Sequence, residues 1–170
     1  TREKLWKRLP FLKKEQMGLH TDVLELPHTN LILLDTGKRG TMEGKQLDWL
    51  EQQLDKHTDK PALVFAHFNP LPNRGVRPIR GMRDGEVLLK ILAQRKHAKA
   101  YIHGHTHEWQ HSKTGSIEII GQPAVSYYFG KGHAHGWIDM KLSEKSADLE
   151  LYCIDATHSQ HGEQKQIPFR

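Results

Sequence analysis

Histidine is the over-represented chemistry-bearing residue of this sequence, at 13 of 170 positions. Number alone decides nothing, because histidine also fills surfaces; position decides. Two short apolar runs end in histidine. Ala62-Leu-Val-Phe-Ala66 leads into His67-Phe-Asn-Pro70, and Ala100-Tyr-Ile102 leads into His103-Gly-His-Thr-His107. Short apolar runs bounded by Gly or Pro read as buried strands. In layered α/β domains, sites gather at the carboxyl ends of such strands. Gly104 has no Cβ, so the chain can turn sharply there. His105 and His107 are two apart, and in a loop leaving a strand they can aim at neighbouring points or at two metals a few Å apart. Imidazole nitrogen suits Zn, Fe, Mn or Ni. Taken singly, each histidine reads more readily as a hydrogen-bonded loop residue. Two strand-end positions of this shape turn the balance toward His67, His105 and His107 as metal ligands.

The elements that would position them alternate. Residues 2–8 predict a helix that Pro10 ends. Asp22–Leu26 predicts a short strand, and Leu31–Leu34 a buried one running into Asp35-Thr-Gly37. Leu47, Leu50 and Leu54 recur at helical spacing, which predicts a helix over 43–56. Asp84 is placed to cap a helix through Val87, Leu88, Ile91 and Leu92 to about Arg95. Strands follow at Ser116–Ile120, Gly136–Leu142 and Leu149–Ile154, the last two as a hairpin. Thr157–Arg170 reads as a polar tail. Alternating helix and strand, then strands alone, predicts an α/β layered domain with a mixed sheet over residues 1–156.

Composition sets outer limits. The formal net charge of +5 suits an anionic substrate but is too small and scattered to require nucleic acid. No apolar run is long enough for a membrane span, so no membrane partner is expected. One cysteine, Cys153, excludes an intrachain disulfide framework and fits a reducing, cytoplasmic compartment. In an apolar strand it reads as inert core.

Gly104-His-Thr-His107 resembles the Gly-His-x-His signature of the calcineurin-like metallophosphoesterases. Val64–Pro72 resembles the His motif that precedes it, and Ile32-Leu-Leu-Asp-Thr36, Gly40 and Gln46–Leu50 resemble the stretch before that. The set runs in order over roughly residues 1–155 and is similar to the class III cyclic-nucleotide phosphodiesterase branch. The resemblance implies a dinuclear phosphohydrolase acting on a phosphodiester or phosphomonoester, cyclic nucleotides among them, with two divalent or trivalent Mn, Fe or Zn ions. It implies that His67 and His105 serve one metal and His107 the other. It further implies the C-terminal half of a four-layer αββα sandwich with helices on one face of its mixed sheet. In the family, Asp-x-His, Gly-Asp-x-x-Asp and Gly-Asn-His-Asp motifs precede the stretch resembled here, and none of them stands before it in this sequence. The expectation is therefore that activity needs an N-terminal half outside it, and that an apolar sheet face left open is covered by that half or by a second copy. The alternative is a non-catalytic metal-binding or scaffold protein on a degenerate phosphoesterase fold. Phe68-Asn69 departs from the His-His or His-Pro common in the family.

Other features carry weaker signals. Arg77, Arg80 and Arg83 follow the His67 loop and could grip a phosphate, or could be a solvated loop. Trp109 could stack on a base but reads more readily as packing. Gly132-His-Ala-His135 repeats the signature string; by the resemblance it is a loop near the site, not a ligand position.

Overall fold

The computed structural model describes residues 7, 21–37, 40–72, 79–127, 130 and 132–169. The helix expected over 2–8 lies outside them except for Lys7. The central element is a six-stranded mixed sheet. Its strands are β1 (Asp22–Glu25), β2 (Asn30–Leu33), β3 (Ala62–Ala66), β4 (Ala98–His103), β5 (Gln110–Thr114) and β6 (Ile117–Gly121). They lie in the order β1-β2-β3-β4-β6-β5. The inner four run parallel, and β1 and β5 close the edges antiparallel.

Helix α1 (Glu43–Lys56) connects β2 to β3, and α2 (Gly85–Ala93) lies between β3 and β4. Their apolar stripes bury Leu50, Leu54, Leu88 and Leu92 against Ile32, Val64, Tyr101 and Ile117 on one sheet face. The opposite face presents Leu63, Ala100, Ile102 and Ile120. It packs on a three-stranded antiparallel sheet of β7 (Gly136–Leu142), β8 (Ser146–Cys153) and β9 (Gln164–Pro168), through Leu149, Leu151 and Ile167. The layers are helices, mixed sheet, second sheet. Strands apolar on both faces are what such a centre requires.

Three expectations change here. The second face of the mixed sheet is not open, because β7, β8 and β9 of the same chain lie over it. The tail over 157–170 contains β9, and both Ile167 and Phe169 are buried. Asp84 occupies the N-cap position of α2, yet its carboxylate caps the other helix. Its Oδ2 accepts from Met42 N at 2.7 Å, Thr41 Oγ1 at 3.0 Å and Glu43 N at 3.3 Å. No side chain of α1's own N-cap residue, Met42, could do this.

Candidate metal centre

Parallel pairing of β3 with β4 sets Ala66 opposite His103, so both strands end at one sheet edge. His67 leaves β3 there, and Gly104 leaves β4 beside it. The amide of Gly104 donates to the His67 carbonyl at 3.1 Å and ties the two loops together. A Cβ on Gly104 would lie 3.3 Å from His67 Nδ1, closer than ordinary packing, so glycine keeps that approach open. His105 and His107 both adopt left-handed backbone, φ 63° and 57°. Non-glycine residues take this conformation at a cost of about 1–3 kcal/mol each, and it concentrates at functional sites. Between them Thr106 is fully buried, its amide donating to the Gly104 carbonyl at 2.7 Å.

The result is a face-to-edge pair. The rings of His67 and His105 lie 5.4 Å apart at 72°. Phe68 packs on His105 at 4.1 Å and 35°, and stands edge-on to His67 at 5.3 Å. His107 turns toward Tyr127, with ring centroids 4.7 Å apart. His67 is exposed at the sheet edge, and partial desolvation of its ring lowers its pKa, helped by the His107 charge. Burial lowers that of His105 too, helped by His67 and His107. Both imidazoles are therefore held neutral near pH 7, the state in which a nitrogen lone pair can bind a metal.

His103 differs from these. It points to the helix side of the sheet, stacked near Tyr101 with ring centroids 6.2 Å apart. Its Nδ1 sits 2.8 Å from the Gly104 carbonyl. Burial pushes its pKa down to about 4, the Gly104 bond opposing and His105 and His67 adding to the drop.

As donors, His67 and His105 fit a first-row transition metal in charge state, chemistry and proximity. Among the described residues, no three His, Cys, Asp or Glu side chains form a group that could hold a metal ion. Those described residues therefore offer His67 and His105 as a pair of candidate donors. Of the arginines, Arg77 lies outside the described residues. Arg80 and Arg83 are exposed on the stretch before α2, where the Arg83 amide donates to the Gly40 carbonyl. Trp109 is core, with the Lys165 ammonium 4.2 Å from its ring centroid. Cys153 is buried, and burial raises its pKa. In the second Gly-His-x-His string, His133 Nδ1 stands 4.0 Å from Glu108 Oε1. Sequence reasoning missed the ring of Phe68 as part of this site; its one signal was an aromatic residue directly after a proposed ligand.

Residues 6–109 match the family model for calcineurin-like phosphoesterases. The chain is 28% identical over 128 residues to the 3',5'-cyclic adenosine monophosphate phosphodiesterase CpdA of Haemophilus influenzae, covering 72% of this chain and 47% of that protein. It is 31% identical over 103 residues to the glycerophosphodiester phosphodiesterase GpdQ of Enterobacter lignolyticus, covering 57% of this chain and 37% of that one. The chain thus spans about half the length of the curated relatives it matches. In fold it is similar to a dimetal phosphatase from Danio rerio, with TM-score 0.74 and 16% identity, covering 100% of this chain and 68% of that one. The family match covers more than half of the chain and includes both strand-end histidine motifs, and the chain belongs to the calcineurin-like phosphoesterase family.

Proposed function

We propose that the protein is a metal-dependent phosphohydrolase acting on phosphodiesters or phosphomonoesters, cyclic nucleotides among the candidate substrates. The observation that carries this is the neutral, edge-to-face pair of His67 and His105 at the ends of two adjacent parallel strands. Phosphodiesterase names among the relatives support the diester reading. In this scheme His67 and His105 hold one metal, and His107, facing Tyr127, belongs to a second; Mn, Fe and Zn suit such donors. A metal pair supplies Lewis acidity and charge stabilisation for in-line displacement at phosphorus. The chain's own residues have a narrower part. His67 and His105 remain neutral donors, and none of the three histidines moves a proton. Gly104 keeps the two loops in register, and Arg77, Arg80 and Arg83 are candidates to meet the substrate phosphate.

Carboxylate donors that neutralise and bridge two metals come, in this proposal, from the rest of a longer polypeptide. The site at the strand ends is where that segment must reach, and a cytoplasmic location would suit the substrates. No helix among the described residues is long and apolar enough to cross a membrane. The test is hydrolysis of bis-p-nitrophenyl phosphate and cyclic AMP by the full-length protein with Mn²⁺ or Zn²⁺, alongside His67→Ala and His105→Ala. Turnover lost in both variants, with metal content reduced, is the expected result. Full turnover in either variant refutes the assignment, and failure of the full-length protein to bind metal returns it to the scaffold reading.

A further inference from the structure

Phe68 is the residue of the site that the proposed chemistry leaves unused. It follows His67 directly and offers no metal-binding atom. Yet its ring lies against His105 at 4.1 Å and 35°, and edge-on to His67 at 5.3 Å and 88°. The three rings form a block in which Phe68 touches both histidines. Behind Phe68 stands Gly40. A Cβ there would lie 2.9 Å from Phe68 Cδ1, 3.1 Å from Cε1 and 3.2 Å from Cγ, so the ring is seated on the glycine's bare face. Gly40 is fixed in turn, since its carbonyl accepts from the Arg83 amide at 2.9 Å. The next turn is held by Asp84 through Thr41, Met42 and Glu43. On the other side, the Tyr101 hydroxyl donates to the Phe68 carbonyl at 2.7 Å, fixing the backbone that carries the ring.

From this we infer that Phe68 is a positioning residue: backed by Gly40, its ring sets the orientation of the His105 imidazole relative to His67. The physical case is direct. An imidazole on a left-handed backbone residue at the end of a loop has free torsions, and an aromatic face at van der Waals distance removes them. Supporting contacts that orient a ligating histidine typically change metal affinity by about 10–100-fold when lost. A flat ring confines the imidazole plane, whereas an aliphatic side chain of similar volume fills the space without doing so.

The inference rests on His67 and His105 being ligands, and the experiment separates the two. In the metal-free full-length protein, the His105 imidazole protons should carry a ring-current shift from Phe68, read by NMR. That shift should vanish in Phe68→Leu and persist in Phe68→Tyr. With Co²⁺ as probe, Phe68→Leu should bind about tenfold more weakly and Phe68→Tyr within about twofold of the parent. Gly40→Ala should weaken Co²⁺ binding about tenfold in the parent, yet by under about twofold in a Phe68→Leu background, because it acts through the ring. Its backbone strain should lower the melting temperature in both backgrounds. Equal Co²⁺ effects of Gly40→Ala in the two backgrounds overturn the inference, as does parental affinity in Phe68→Leu. If His105→Ala leaves Co²⁺ affinity unchanged while the NMR shift behaves as stated, the ligand assignment falls and the packing of Phe68 on His105 stands.

Discussion

Replacing Asp84 by alanine is expected to loosen the first turn of α1, although Asp84 precedes α2. One carboxylate oxygen serves Met42 N, Thr41 Oγ1 and Glu43 N. A lost N-cap costs about 1 kcal/mol, and hydrogen bonds to a charged group about 1.5–3 kcal/mol. The other oxygen, Oδ1, is buried without a hydrogen-bond partner, which works against the gain. The net expectation is about 2 kcal/mol of lost stability for Asp84→Ala. Asp84→Asn keeps an acceptor and loses only the charge at the helix N-terminus, about 0.3–1 kcal/mol. Urea unfolding gives the magnitudes. Amide hydrogen exchange gives the location, with Met42 and Glu43 exposed early and Leu88, whose amide bonds the Asp84 carbonyl, nearly unchanged. Since the same turn seats Gly40 against Phe68, Co²⁺ affinity should fall as well. Faster exchange at Glu86–Leu88 with Met42 and Glu43 unaffected would refute the cross-helix cap.

His103 gives a pH signature. Its folded pKa, about 4, lies below the ordinary 6.5, so the unfolded chain takes up the proton first as pH falls. Stability tied to neutral His103 is therefore full above pH 6.5 and declines toward pH 4, by about 3–4 kcal/mol at most; in EDTA, the parent should lose more urea resistance between pH 7.5 and 4.5 than His103→Gln does. Alanine variants of Arg77, Arg80 and Arg83 in the full-length enzyme should keep metal content, and any one that grips substrate should lose about 1.5–3 kcal/mol in kcat/KM. Unchanged kinetics in all three would make this loop a solvated one. The 170-residue chain alone should hydrolyse bis-p-nitrophenyl phosphate no faster than its His105→Ala variant with Mn²⁺ supplied, and robust turnover would contradict the need for further ligands.

The elements with apolar periodicity could be read from residue order, and those without could not. Leu47, Leu50 and Leu54 placed α1 at its observed bounds, and Ala62–Ala66 placed β3. Strand β5, Gln110-His-Ser-Lys-Thr114, is an edge strand with no aliphatic residue, so it gave no period to detect. Strand β9 has Ile167, with Phe169 just beyond it, as the only buried apolar residues among polar neighbours, and their role depends on pairing with β8, which no local pattern encodes. The same blindness to long-range pairing produced the expectation of an open face. Asp84 shows a further limit, since its position near α2 was evident, but the helix it caps lies about forty residues away in sequence. At the candidate site, the strand-end placement of His67 and Gly104 was legible in the sequence. The Phe68–Gly40 contact was not, because it joins two loops that only the fold brings together.

The central claim is that His67 and His105 bind one metal. Pulsed EPR on the full-length protein loaded with a single equivalent of Mn²⁺ counts the imidazole nitrogens on the ion directly. Two nitrogens are expected in the parent at the site His67 shares with His105, and one in each of His67→Ala and His105→Ala. An unchanged nitrogen count in either variant would contradict the account.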